Sequence, residues 1–377
     1  METKFPAQKL LNWLQKNQRN LPWRKQYNPY EVWVSEVMLQ QTRMDQAVPY
    51  FELFIKQFPN LESLAKAKED SVLKAWEGLG YYSRARNLHQ AAKEIVNQLD
   101  GKIPRTKNEL EKLPGFGPYI SSAVASIAFE QNEAVVDGNV VRVLSRFYGL
   151  NKSLQERTYF STIAEKILPK GKARNFNQGL MELGALICLP KNPECMKCPL
   201  QENCYAFENK AQEKFPKKIK KKKVPVKKFI GLVLEQNRKL FLRKRTEQGL
   251  LKNLWEFPLI ETKPNFLDKA ELEQKIKKEL NLEVKLEKGL GKVKHSYTHF
   301  KQEVWIWKAK IKENNSLQFF SHNQIRKLAL SKVNHKILEK WMTSNTDIKL
   351  SLDEIKQIKQ SLKDLQAGKI LSLKELK

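Results

Sequence analysis

The sequence predicts two folded domains of different class, an all-α domain followed by an α+β domain, and three observations carry this. At 377 residues the chain exceeds what one hydrophobic core ordinarily serves. From Pro6 to about Phe207 apolar residues recur at three- and four-residue spacing, broken by turn signals such as NPY, FPN, DGKIP, LPGFGP and DGN. Beyond the lysine- and proline-rich stretch FPKKIKKKKVPVKK, the pattern changes to β-branched and aromatic runs. These are FIGLVLEQNRKLFLRKR and Glu303-Val304-Trp305-Ile306-Trp307, and between them lies a helical run from Asp268 to Leu280.

On this reading residues 1–214 form the helical domain, 215–228 a basic linker, 229–345 the α+β domain, and 346–377 a basic tail of amphipathic helical character. With 69 basic against 41 acidic residues the formal charge is +28, which points to a polyanionic partner, although solubility alone also produces such a surface. No apolar run is long enough to span a bilayer, and METKFPAQKLLNWLQKNQRN lacks the uninterrupted apolar core of a secretory signal. The expectation is a cytoplasmic protein with no membrane partner.

All four cysteines fall in CLPKNPECMKCPLQENC, as Cys188-x6-Cys195-x2-Cys198-x5-Cys204. In a reducing compartment such clustering favours a metal site over disulfides, and four thiolates in one loop suit either a tetrahedral zinc or an iron–sulfur cube. Chemistry alone leaves both open.

Two glycines, Gly115 and Gly117 in LPGFGPY, precede an apolar helix. Their backbone N–H groups and the helix N-terminus can approach a phosphate, although a plain helix–helix turn has the same composition. Two carboxylates also stand out. Glu36, in YEVWVSEVMLQQT, sits in a stretch apolar on several faces, where desolvation would raise its pKa and leave a proton to donate; a solvent-facing glutamate is the bland alternative. Asp137, in AVVDGNV, stands where a helix N-cap belongs.

The order SEVMLQQT, LPGFGPY, VVDGNVVRVLSR and cysteine loop, with PWR (22–24) and GLGYYSR (78–84), resembles the helix-hairpin-helix glycosylases of the endonuclease III and MutY superfamily, and the MutY family within it. The resemblance runs from about Pro6 to Met342 and implies a helix-hairpin-helix domain with a [4Fe–4S] cluster on Cys188, Cys195, Cys198 and Cys204. It implies that Glu36 protonates adenine at N7 and later handles the water, that Asp137 stabilises the oxocarbenium-like sugar, and that Asn139 orients that carboxylate or water. Tyr119 stands where endonuclease III-type relatives carry a lysine, so a Schiff base is unavailable there and base release by water leaves an abasic site. Trp23 and Arg24 would line the adenine pocket, and the Gln178 amide can both donate to and accept from an adenine edge. Gln41 and Tyr81 match positions that enter the base stack when a base is flipped out, and Gly115 and Gly117 those that hold phosphate.

GLLKNLWEFP (249–258) resembles the start of a Nudix fold, whose hydrolytic members need several glutamates on one helix for a divalent cation. Here Lys275 and Lys278 replace carboxylates in QKIKKELNL, so the domain is expected to read rather than to hydrolyse. Tyr297, Thr298 and His299 resemble a Phe-Ser-His loop that senses oxidised guanine, and keep an aromatic ring and a hydroxyl. The expectation is a monomeric, monofunctional adenine glycosylase acting on duplex DNA with adenine opposite 8-oxoguanine or guanine. Two alternatives are an endonuclease III-like glycosylase/lyase and a non-catalytic iron–sulfur DNA sensor.

Overall fold

A computed structural model of the chain describes residues 4–219, 224–246, 249–262, 268–311 and 317–344. The tail assigned to 346–377 lies outside the described residues. The described residues form two compact units, 4–66 with 87–219, and 67–86 with those of 224–344.

The first unit is helical. Its innermost helix, Pro29–Leu39, starts at Asn28, whose side chain accepts from the N–H groups of Tyr30 and Glu31, and Pro29 fixes the first turn. Tyr30, Val32, Trp33, Val34, Ser35, Glu36, Val37 and Met38 are all buried, so the helix is enclosed on every side rather than packed along one stripe. Helix Pro118–Phe129 packs against it. Helices Gly138–Tyr148 and Ala173–Leu186 share a second cluster built on Phe5, Leu144, Phe147, Phe160, Phe176 and Leu180. These two helices approach closely at Gly184, where a Cβ would lie 2.5 Å from that of Asn139.

The second unit is built on a six-stranded sheet. Its strands are β1 (Val226–Gln236), β2 (Lys239–Phe241), β5 (Leu259–Thr262), β6 (Val284–Ser296), β7 (Lys301–Ile311) and β8 (Phe319–Phe320); β3 (Arg243–Lys244) and β4 (Trp255–Glu256) pair separately. The order is β6-β7-β1-β2-β8 with β5 also on β1, and only the β1–β7 pair is parallel. Alternate residues feed two cores: Val233, Val304 and Ile306 pack with helix Lys332–Ser344, and Ile230, Leu232 and Leu286 with helix Lys269–Leu280. The latter begins at Asp268, whose side chain and that of Glu271 form a capping box, as the helical run from Asp268 to Leu280 anticipates.

Two boundaries differ from the sequence reading. Val226–Lys228, assigned to the linker, open β1 and pair with Lys301–Glu303 of β7. At the other end, Lys217 N–H donates to Lys152 O (2.9 Å), so a lysine-rich composition conceals ordered backbone on both sides. Residues 67–86, assigned to the helical domain by their helical pattern, have their densest contacts with the sheet-bearing unit. Tyr82 donates to Leu330 O (3.2 Å), Arg86 to Lys252 O (2.9 Å) and Asn253 to Glu69 (2.6 Å).

Candidate active site

The first unit gathers most of the singled-out residues. Glu36 is 5% exposed, and its Oε2 accepts from the Tyr119 hydroxyl at 2.9 Å. Burial pushes the Glu36 carboxyl up to about 7; the Tyr119 hydrogen bond and the Arg24 charge work against that rise, and Asp137 adds to it. Near neutrality the group is therefore divided between acid and carboxylate. Burial and the neighbouring carboxylates hold the Tyr119 phenol well above its ordinary range, so it remains a neutral donor.

Asp137 caps helix Gly138–Tyr148: Oδ1 accepts from Val140 N–H (2.7 Å) and Oδ2 from Asn139 Nδ2 (2.8 Å). Burial raises its pKa, and the bonds from Val140 and Asn139 and the Arg142 charge oppose the rise. Asn139 Oδ1 in turn accepts from Arg142 Nη2 (2.7 Å), which also donates to Gly184 O (2.7 Å), while Arg142 Nε donates to Cys188 O (2.7 Å). One turn on, Arg146 Nη1 reaches Leu189 O (2.7 Å) and Cys188 Sγ (3.4 Å). A continuous chain of bonds thus joins Asp137 to the cysteine loop. Arg142 and Arg146 were not singled out in the sequence, although their spacing of four in VVDGNVVRVLSR puts both on one helix face.

The pocket residues divide. Trp23 is 3% exposed and packs edge-on against Phe51 at 4.9 Å, a core position. Arg24 pairs with the buried Glu182 (2.7 Å), which also takes Arg19, while Arg24 Nε is buried with no partner among the described residues. Its charge acts on the Glu36 carboxyl. Gln178 is 2% exposed, and its Oε1 already accepts from Gln18 Nε2 (3.1 Å) and Tyr27 Oη (3.1 Å), so its carbonyl side is engaged within the fold. Gln41 lies exposed just past the end of helix Pro29–Leu39 with a left-handed backbone (φ 59°). Of the hairpin glycines, Gly115 needs its left-handed φ of 80°, and a Cβ there would lie 2.7 Å from Asn87 Cβ. Gly117 has ordinary extended backbone with open space beside it, as approach of an outside group requires.

The four cysteines are half-buried and free of disulfides. Cys198 is pushed up to about 12 by burial and by its neighbours Cys188, Cys204 and Cys195, so thiolates there need a cationic centre. Among the described residues no group of three or more His, Cys, Asp or Glu side chains is placed to hold a metal ion.

In the second unit, Tyr297, Thr298 and His299 form the turn joining β6 to β7. The Tyr297 ring stacks on Phe300 (4.7 Å) and meets His295 edge-on (4.5 Å), while Thr298 and His299 are exposed. Tyr81 belongs to this unit and not to the one holding Glu36; its hydroxyl hydrogen-bonds Thr298 Oγ1.

A buried protonatable carboxyl beside a second carboxylate, a glycine hairpin and a thiol loop define a helix-hairpin-helix base-excision protein. The HhH-GPD superfamily base excision DNA repair protein model matches residues 34–170, and the NUDIX domain model residues 229–340. A solved thermostable thymine-DNA glycosylase is 30% identical over 54% of this chain and 95% of its own, with a TM-score of 0.51. Within that class the chain belongs to the adenine DNA glycosylase family. It is 36% identical to the adenine DNA glycosylase of Buchnera aphidicola subsp. Baizongia pistaciae over 92% of this chain and 99% of that protein. The Schizaphis graminum subspecies' enzyme is 38% identical over 78% and 84%, and the human one 33% over 79% and 65%. The chain is thus a base-excision-repair adenine glycosylase, a glycosidase acting on N-glycosyl bonds in DNA. No helix among the described residues is long and apolar enough to cross a membrane.

Because the Tyr119 bond lowers the Glu36 pKa, removing it must raise that value. Difference infrared spectroscopy of the carboxyl stretch should find Glu36 half-protonated near pH 7 in the unaltered protein and at higher pH in Tyr119→Phe. A midpoint near the ordinary glutamate range in both would contradict the assigned environment.

Proposed function

We propose that the enzyme, a cytoplasmic monomer, removes adenine mispaired with 8-oxoguanine, and with guanine, by monofunctional hydrolysis. The observation that carries the chemistry is the pairing of Glu36, about half protonated near neutrality, with the carboxyl of Asp137. Neutral adenine is a poor leaving group. Protonated at N7 by Glu36 it departs with the bonding electrons, and the sugar acquires positive charge that ionised Asp137 offsets. Val140 N–H and Asn139 Nδ2 hold the Asp137 carboxylate for that role. Water then adds to the sugar and gives its proton to Glu36, now a base. The free Arg24 Nε is a donor for the extruded base, whereas Trp23 and Gln178 shape the pocket from behind.

Tyr119 excludes amine attack from its position, and its bond to Glu36 keeps the phenol on the acid instead. Gly115 and Gly117 would hold a phosphate, and Gln41 would enter the base stack. Cys188, Cys195, Cys198 and Cys204 would hold a [4Fe–4S] cluster, which supplies a rigid scaffold for the loop rather than reaction chemistry. In the second domain lysines stand where hydrolytic members carry carboxylates, and the acidic residues beside them have structural tasks. Glu271 serves the capping box, Glu273 accepts from Leu286 N–H (2.6 Å), and Lys275 donates to Glu261 O (2.7 Å). This supports a reader, with Tyr297, Thr298 and His299 facing the opposite base.

Glu36→Gln should bind mispaired duplex about as well as the unaltered enzyme yet release adenine at least about a hundredfold more slowly in single-turnover assays. Neither protein should be trapped on DNA by borohydride. Near-normal release by Glu36→Gln would remove it from the acid role, and efficient trapping would identify a lysine nucleophile.

Anaerobically purified protein should contain iron and acid-labile sulfide, with both depleted in Cys198→Ser. Stoichiometric zinc without sulfide would replace the cluster by a mononuclear site.

A further inference from the structure

Residues 67–86 carry GLGYYSR, which holds Tyr81, and they are fastened to the sheet-bearing unit by one buried carboxylate. Glu77 is 9% exposed. Its Oε1 accepts from Leu330 N–H (2.7 Å) and faces His335 Nε2 (2.9 Å), and its Oε2 takes the Lys74 ammonium. Lys74 Nζ also donates to Leu328 O (3.1 Å), and Tyr82 Oη to Leu330 O (3.2 Å). Burial works to raise the Glu77 pKa, but Lys74 and His335 outweigh it and hold the group at about 2. The carboxylate is ionised at every working pH, and a buried charge of this kind is costly to leave without its partners.

From that anchor to Tyr81 the chain has little freedom. Trp76 Nε1 donates to Gly80 O (3.2 Å), and Arg84 Nη2 to both Leu79 O (3.3 Å) and Gly80 O (3.2 Å). The Arg84 guanidinium lies over the Trp76 and Tyr81 rings at 5.4 and 5.5 Å. Gly78 and Gly80 take left-handed backbone (φ 100° and 69°), and so does Tyr81 at 48°, a conformation a tyrosine keeps only when its surroundings impose it. Tyr81 is 40% exposed, and its hydroxyl meets that of Thr298 across 217 residues of sequence.

We propose that Glu77 is a positioning residue for opposite-base recognition: it locks the 76–84 turn onto the 328–335 segment so that Tyr81 is presented on Thr298 as one reading surface. The inference rests on the reading of Tyr297, Thr298 and His299 as the sensor of oxidised guanine, and adds that half of that sensor comes from a distant stretch of chain. Tyr81 supplies a ring able to stack beside the opposite base, and its hydroxyl fixes the rotor of the Thr298 hydroxyl that would meet the altered base edge. Glu77 touches no DNA in this account. Its effect reaches the base only through Tyr81 and Thr298.

The test is a mutant cycle in the full-length protein, reading single-turnover adenine release opposite 8-oxoguanine and opposite guanine, with hydrogen exchange of the 77–86 amides. Thr298→Val should lower the preference for 8-oxoguanine by about 2- to 10-fold, the loss of one hydrogen bond. Glu77→Gln keeps the shape and an acceptor for Leu330 N–H but removes the charge. It should lower the preference by a similar factor, speed amide exchange across the turn, and leave release opposite guanine within about twofold at saturating enzyme. Added to Thr298→Val it should cost nothing further, because both act through one contact. A merely structural Glu77 would lower both rates together, and that result overturns the proposal. So does a Glu77→Gln whose preference is unchanged while Thr298→Val reduces it, or whose effect is undiminished in the Thr298→Val background. An unchanged preference in Thr298→Val itself removes the sensor reading, and the role of Glu77 falls with it.

Discussion

A carboxyl group enclosed by apolar side chains cannot keep its charge cheaply, and the first unit is arranged around that fact. Glu36 sits on a helix buried on all sides, where desolvation moves its pKa to about 7, a shift worth roughly 3 kcal/mol. A nearby guanidinium would undo this if it paired with Glu36. Arg24 does not, because Glu182, itself buried, takes Arg24 and Arg19 together. The Glu182 pairs therefore keep a cation close enough to orient a base while leaving Glu36 its proton. Tyr119 contributes the remaining restraint, a single neutral hydrogen bond that fixes the carboxyl without ionising it fully.

Asp137 is likewise buried and its pKa likewise raised, but more donors oppose the rise. Its two oxygens are taken up by Val140 and Asn139, and Asn139 is steadied by Arg142, whose other bonds end on Gly184 and Cys188. The carboxylate is thereby tied through three hydrogen bonds, by way of Asn139 and Arg142, to the cysteine loop. Two buried carboxyls thus differ in local bonding: Glu36 meets one neutral donor, whereas Asp137 takes two donors with Arg142 nearby.

Where chemistry depends on short motifs, the sequence is readable. The N-cap position of Asp137 is legible in its string, whereas the string around Glu36 leaves a solvent-facing glutamate open until the structure buries it against Tyr119. Legibility ends where a residue's partner is remote. GLGYYSR lies within the stretch read as helical, and nothing local reveals that Glu77 finds Leu330 and His335, or that Tyr81 finds Thr298. The lysines of 226–228 look like linker because composition dominates their pattern, while their backbone belongs to β1. Gln178 has the right amide for an adenine edge, but its carbonyl is satisfied by Gln18 and Tyr27, a pairing that only the packing of separate segments creates. The same remoteness bears on deletion of the second domain. Such a fragment removes the partners of Glu77, Tyr82 and Arg86 as well as Thr298, so point substitutions separate chemistry from recognition more cleanly.

The account stands on a protonated Glu36 in the reacting enzyme, and the pH dependence of single-turnover adenine release addresses that directly. The folded-state pKa is raised, so the acid form is complete well below pH 7 and is lost as pH rises through it. With enzyme in excess and duplex saturated, the rate should be level just below about 7, down to the pH at which Asp137 takes up a proton, and fall about tenfold per pH unit above about 7. A rate that stays level to about pH 9, or rises, would mean that the proton comes from elsewhere and that the burial of Glu36 serves another purpose.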